Sequence, residues 1–141
     1  MSIEIKIIKY EEDYKKSIRY IREQVFINEQ KISSELEFDG LDNEALHILV
    51  FEGTNAIATG RMLEDGHIGR IAVLSKHRSQ NIGSKIITKF IEESKQKYYK
   101  RLYLSAQIQT IKFYEKLGFT IFGDTFMEAN IEHQSMEIIL K

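Results

Sequence analysis

The stretch Arg78-Ser79-Gln80-Asn81-Ile82-Gly83-Ser84 separates two segments of different rhythm. Before it, His67–Leu74 reads as a strand that ends on the apolar run Ile71-Ala72-Val73-Leu74. After it, Ile82, Ile86, Ile87, Phe90 and Ile91 recur at helical spacing in a helix that runs to about Tyr98. The polar turn therefore lies between a strand and a helix, at the carboxyl end of the strand, where open α/β sheets bind ligands. A helix N-terminus offers unpaired N–H groups and about half a positive charge to an anion. Small residues at Ser79, Gly83 and Ser84 let the backbone approach it closely. Asn81 stands where positive φ is called for, and Asn tolerates that region best after glycine. Lys76, His77 and Arg78 add side-chain charge. A solvated polar loop is the competing reading of the turn alone. Neither G-x-x-x-x-G-K-[ST] nor G-x-G-x-x-G occurs, which excludes a P-loop nucleotidase and a Rossmann dinucleotide site.

Outward from the turn, the helix leads into a short strand, Leu102–Ala106. The connection is long enough for a parallel, right-handed crossover. Upstream, Ile3–Ile8 alternates as a strand. Tyr14, Ile18, Ile21 and Val25 then keep helical spacing after Asp13. From Gln30 to Glu44 the rhythm is lost. Glu35, Glu37, Asp39, Asp42 and Glu44 face only Lys31 there, in an acidic loop or short irregular helix. Ala45–Phe51 and Ala56–Leu63 are strands, and Asp65-Gly66 is a hairpin turn in which both positions tolerate positive φ. Downstream, Ile108–Leu117 is a helix stopped by Gly118. Strands at Phe119–Phe122 and Ser135–Leu140 close the chain. The sheet is mixed: antiparallel, then parallel, then antiparallel.

The chain has 141 residues, which suits a single domain over 1–141. A formal net charge of -1 gives no long-range attraction to nucleic acid or to anionic membranes. Cysteine is absent, which removes disulfides, thiolate nucleophiles and thiolate metal sites. No apolar run approaches the ~20 residues of a membrane span, and Met1–Lys6 lacks a signal-peptide core. A soluble cytoplasmic protein is expected, with no nucleic acid and no membrane among its partners. His47, His67, His77 and His133 show no close metal spacing, so no metal is expected. Lys85, Lys89, Lys95, Lys97, Lys100 and Arg101 form a basic face without interleaved aromatics, which reads as a solvated surface.

Arg78-x-x-Asn81-x-Gly83 after Ile71–Leu74 resembles the R/Q-x-x-G-x-G/A motif of the GNAT N-acetyltransferase superfamily. Phe113-Tyr114-Glu115-Lys116-Leu117-Gly118-Phe119 is similar to that family's F-Y-x-x-x-G-F segment. Arg22–Gln30 resembles a branch of small bacterial members of unassigned substrate. The resemblance covers nearly the whole chain. It implies a single-domain α/β (α+β mixed) GNAT-like fold with a mixed seven-stranded sheet. Helices flank the sheet, and it is splayed between two central parallel strands that hold acetyl-CoA. It further implies a transfer from acetyl-CoA to a primary amine. In the cofactor set, Ile71, Ala72 and Val73 pair with the pantetheine arm, and an amide near Val73 polarises the thioester carbonyl. Arg78, Ser79, Gln80, Asn81, Ile82, Gly83 and Ser84 hold the pyrophosphate, and Gln107 and Phe113 complete the set. Asn81 departs from the family's usual first glycine.

The transfer needs a neutral amine, a polarised carbonyl and a proton for the leaving sulfur. Tyr114, with a reference pKa of about 10, is the acid that the resemblance implies; without the motif it reads as a core aromatic. Gly69 occupies the place nearest to a strand glutamate that many members carry. His133 is then the preferred base, since neutral imidazole accepts a proton at pH 7. A hydrogen-bonded histidine at a strand start is the competing reading. Glu29, Glu37, His47 and His67 are weaker candidates. Arg22 and Arg70 match positions that resemble carboxylate-binding arginines, and bridges to the acidic loop at 35–44 are the competing reading. The expected acceptor is a small, carboxylate-bearing amine. A protein lysine or N-terminal acetyltransferase and a non-catalytic acyl-CoA-binding regulatory module are the alternatives. Many relatives dimerise, and a homodimer stays open.

Overall fold

The computed structural model describes residues 2–141. Alternation brings two faces to the strand β2 (Leu46–Glu52), and each face has its own helix. Ile48 and Val50 join a core built on α3 (Ile82–Gln96), through Ile82, Ile86, Ile87 and Phe90. Leu49 points the other way, to Ile18 and Ile21 of α1 (Glu12–Arg22). The two helices therefore cover opposite faces of one sheet. The remaining strands are β1 (Ile3–Ile8), β3 (Asn55–Met62), β4 (His67–Val73), β5 (Arg101–Gln107), β6 (Thr120–Ile121), β7 (Phe126–Glu128) and β8 (Ile131–Ile139). Their order is β1-β2-β3-β4-β5-β8-β6, with β7 also on β8. Two short helices, α2 (Ser34–Glu37) and α4 (Ile111–Lys116), complete the fold.

The mixed sheet is as expected, with β4 and β5 as its parallel pair. Among the described residues eight strands form instead of seven. The added strand, β7, turns into β8 through Ala129 and Asn130, both at positive φ (50° and 63°). An alanine in such a turn carries no sequence signal. The β3–β4 hairpin also differs in detail. Gly66 N donates to Leu63 O (3.0 Å), and in the Asp65-Gly66 pair only Gly66 takes positive φ. The first helix continues past Arg22 as a π-helical segment, Glu23–Glu29, closed by Gln30 N donating to Val25 O at 3.1 Å.

Gly118 ends α4 in a paired motif: Gly118 N donates to Glu115 O (3.0 Å) and Phe119 N to Tyr114 O (3.1 Å). Its φ of 103° suits glycine. The carbonyl that anchors this cap belongs to Tyr114. No described helix is long and apolar enough to cross a membrane.

Candidate active site in the sheet split

β4 and β5 pair at only two positions, His67 with Tyr103 and Ile68 with Leu104. Beyond Ile68 the strands part, so residues 69–73 have no partner on the β5 side. A bulge marks the departure. Thr59 pairs with Ala72 and Arg61 with Gly69, so Arg70 and Ile71 together oppose the single residue Gly60. Arg70 takes φ 54°, a left-handed conformation that non-glycine residues rarely hold. Gly60 lies against this bulge because a Cβ there would meet Ile86 Cγ2 at 2.7 Å and Ile71 Cδ1 at 2.8 Å.

The split opens as a cleft of about 260 Å³. Gly69, Arg70 and Ile71 form one wall, and Leu104, Ser105 and Gln107 the other. Tyr114 and His133 also reach it, and Phe26, Gln30, Ile32 and Glu37 close over it. The π-helical segment is tied to both sides. Gln107 Nε2 donates to Gln30 Oε1 at 3.1 Å, and Arg78 grips Glu29 with two bonds of 2.8 Å. The hydrogen bond from Arg78 lowers the Glu29 carboxyl pKa.

Tyr114 packs edge-on against Phe113 (5.0 Å) and Phe119 (6.0 Å). Burial pushes its hydroxyl up to about 12, so it stays protonated at neutral pH. His133 is 7% exposed and stacks on Phe126. Its Nδ1 lies 2.7 Å from Ile131 O, and a carbonyl only accepts, so the proton of the neutral ring sits on Nδ1. Nε2 is then the free lone pair. His67, in the same cleft, stacks on Tyr103, whose hydroxyl donates to Asp65. Burial lowers the His67 pKa.

The turn after β4 carries two left-handed residues. Ser79 and Asn81 both hold left-handed φ, 66° and 62°. Asn81 precedes α3 without capping it by side chain, and no acidic residue occupies the first turn of the helix. The amides of Ile82, Gly83 and Ser84 thus keep the unpaired donors of a helix N-terminus. Phe113 lies over this end, its Cζ 3.7 Å from where a Gly83 Cβ would be. Ser79, Gln80, Asn81, Ile82, Gly83 and Ser84 run through this turn into the first turn of α3. Two features differ. The Val73 carbonyl already accepts from Arg78 Nε (2.9 Å), and the rest of the Arg78 guanidinium is held by Glu29.

The two arginines expected to bind an acceptor carboxylate separate. Arg22 is fully buried and lies outside the cleft lining. Its Nε donates to Glu37 Oε2 (2.7 Å), Nη1 to Asp42 Oδ1 (2.7 Å) and Nη2 to Glu37 O (2.9 Å). In this geometry it is a bridge to the acidic loop rather than a substrate ligand. Arg70 does line the cleft. Its Nε and Nη2 edge is turned to the same loop, to Glu37 O, Leu36 O and Asp39 Oδ2. Nη1 makes no hydrogen bond among the described residues. Arg61, which the sequence reading passed over, completes the cluster with bonds to Asp39 and Asp42. Three arginines thus meet Glu37, Asp39 and Asp42. Burial raises the Glu37 pKa against the pull of the arginines. Burial acts the same way on Asp39, but the Arg61 hydrogen bond and its neighbours outweigh it and hold that carboxyl at about 2.

Residues 12–140 match the family model of the Acetyltransferase (GNAT) domain. The N-acetyltransferase YjcF of Bacillus subtilis, itself uncharacterized, is 34% identical over 134 residues, which are 92% of this chain and 96% of YjcF. The structure of Escherichia coli ElaA superposes with a TM-score of 0.87 at 25% identity, covering 97% of this chain and 99% of ElaA. An Elizabethkingia anophelis GNAT acetyltransferase with acetyl-CoA bound shares the fold, with a TM-score of 0.70, 21% identity and 98% of both chains covered. The chain, with its sheet split between β4 and β5 and a left-handed turn leading from β4 into α3, belongs to the GNAT acetyltransferase family.

Proposed function

We propose that this chain is a cytoplasmic N-acetyltransferase that moves the acetyl group of acetyl-CoA to the primary amine of a small molecule. The observation that carries the reading is the meeting, in one cleft, of Tyr114 and Gly69, Arg70 and Ile71, which begin the stretch of β4 left unpaired on the β5 side. An extended pantetheine arm would add to that segment as a strand does, with its pyrophosphate on the amides from Ser79 to Ser84. The amide at the bulge, near Ile71 to Val73, would donate to the thioester oxygen as charge develops there.

The amine nitrogen attacks the thioester carbon, and the C–S bond breaks as the tetrahedral intermediate collapses. The departing thiolate receives the Tyr114 proton, and the proton released by the amine passes to His133 Nε2. Burial keeps the Tyr114 hydroxyl protonated at neutral pH, so its proton is present when the sulfur departs. The cover formed by Phe26, Gln30, Ile32 and Glu37 leaves a cleft of about 260 Å³, which suits a small acceptor rather than a protein chain. Arg70 keeps a free Nη1 for an acceptor carboxylate.

Calorimetric titration of acetyl-CoA, with CoA release measured over a panel of amines, tests this for the wild type and Tyr114→Phe. The expected result is micromolar-range CoA binding by both proteins and turnover only by the wild type. A wild-type protein that does not bind CoA would overturn the proposal.

A further inference from the structure

Glu37 has a feature that structural bridging alone does not use. It is 3% exposed and lines the cleft, yet both arginines that reach its carboxylate meet the same oxygen. Arg22 Nε lies 2.7 Å and Arg70 Nε 3.2 Å from Oε2. Oε1 accepts no hydrogen bond from the described residues and is not among the buried atoms sealed without a partner. A carboxylate held so tightly by one oxygen has few rotamers left, so its other oxygen is presented in a fixed direction at little entropic cost. Beside it, Arg70 has the complementary asymmetry. Its Nε and Nη2 are used and its Nη1 is free, while the side chain keeps 24% exposure. One free acceptor and one free donor therefore stand on adjacent, mutually paired side chains in the wall of the acceptor cleft.

We propose that Glu37 and Arg70 form a receptor for a zwitterion. Glu37 Oε1 accepts from the acceptor's ammonium group, and Arg70 Nη1 donates to its carboxylate. The acceptor is then an α-amino acid, or a compound with that same ammonium–carboxylate pair. The inference rests on the cleft being the acceptor site. Charge-assisted bonds of this kind discriminate sharply, because a neutral isostere leaves Glu37 and Arg70 each short of a partner. Arg22 acts through Glu37 as a positioning residue and makes no contact with the acceptor. Opposite charges of the bound molecule meet opposite charges of the wall, so the electrostatic gain belongs to the pair and not to either group alone.

Three probes that share an isobutyl group test this on the full chain saturated with CoA: leucine, isopentylamine and 4-methylpentanoate. Binding is followed by calorimetry, and CoA affinity is measured in parallel. Leucine should bind at least tenfold more tightly than either single-charge probe. Glu37→Gln should weaken leucine and isopentylamine about tenfold and leave 4-methylpentanoate and CoA unchanged. Arg70→Gln should weaken leucine and 4-methylpentanoate and spare isopentylamine. A folded Glu37→Gln protein that binds isopentylamine and leucine like the wild type would overturn the assignment. Should Glu37→Gln fail to fold, the wild type decides: it must prefer isopentylamine to the neutral isostere 3-methylbutan-1-ol by about tenfold, and equal affinity refutes the role of Glu37. CoA binding by a wild type that takes up none of the three probes also refutes the receptor, and leaves the acetyl-CoA reading standing.

Discussion

Replacing Arg22 by methionine separates a structural bridge from a substrate ligand. The guanidinium is fully buried and makes three hydrogen bonds of 2.7–2.9 Å, two of them to carboxylates. Methionine fills much of the volume over Phe38 but leaves Glu37 with Arg70, and Asp42 with Arg61, as their remaining partners. Removing one member of a buried ionic set costs about 3–5 kcal/mol, because the partners stay charged in a poor solvent. With a urea m-value of about 2 kcal/mol/M, the midpoint should fall by roughly 1.5–2.5 M. The loss should depend on pH. The Glu37 pKa is already raised by burial, and losing Arg22 raises it further. A carboxyl whose folded pKa lies above its unfolded value favours the native state at low pH, and that contribution is lost as pH rises through the folded pKa. The gap between variant and wild type should therefore narrow as pH falls through the raised Glu37 pKa of the variant. Adding Glu37→Gln to Arg22→Met should recover about 1 kcal/mol. A stability loss under about 1 kcal/mol at pH 7, combined with a raised acceptor KM, would return Arg22 to the substrate site and refute the bridge.

Tyr114→Phe should lower kcat by about 10²–10⁴ with CoA affinity unchanged. Because the hydroxyl titrates near 12, the wild-type rate should show no loss from tyrosine ionisation up to pH 10. Asn81→Gly should bind CoA like the wild type, whereas Asn81→Val, forced to hold φ near 62°, should bind it about tenfold more weakly by calorimetry. Asp39→Asn should destabilise the protein by about 1 kcal/mol at pH 7: the shift from 3.8 to about 2 corresponds to roughly 2 kcal/mol, reduced because the side chain is 27% exposed. A depressed carboxyl stabilises above its unfolded pKa, so the difference between the two proteins should vanish as pH falls from about 4 to 2 in a denaturation series. Arg70→Gly should be more stable than Arg70→Ala by about 1 kcal/mol, the reverse of the usual strand order, since φ at this position is 54°.

What the sequence revealed and what it hid divide along a physical line. Features set by nearest neighbours were legible. These are the strand–turn–helix unit around Asn81, the apolar face of α3, and the cap at Gly118 that fixes Tyr114. Each depends on residues within a few positions of one another. Arg61 was missed because its partners Asp39 and Asp42 lie 22 and 19 residues away on another element, and only the folded sheet brings them together. The π-helical segment that places Phe26 and Gln30 over the cleft has the composition of an ordinary helix. The bulge depends on a register shift between β3 and β4, which a single strand cannot display. Gly60 carried a faint signal, a glycine inside an apolar strand, which often marks a bulge or a close approach. Glu37 sat among five acids of similar appearance, and its separate role emerges only from which of its oxygens is occupied.

The bulge joins the two halves of the site through one residue. A left-handed arginine is held against a penalty of about 1–2 kcal/mol. Such a conformation persists only where its surroundings over-determine it. Here the surroundings are the bonds from the Arg70 guanidinium to Glu37, Leu36 and Asp39, which secure its side chain to the acidic loop. The same backbone twist turns Ile71 into the cleft, against the space that Gly60 leaves open. The loop that covers the acceptor side and the strand that would meet the thioester are thus two ends of a single strained residue. A lysine at position 70 would keep the charge but could not fork between the loop carbonyls and the carboxylates. It would release the loop and remove the reason for the bulge to stay. Breaking the Arg70 hold on the 36–39 loop should accordingly be felt on the donor side of the cleft, whereas Glu37→Gln keeps the bonds to the Leu36 and Glu37 carbonyls and to Asp39 and should leave that side undisturbed.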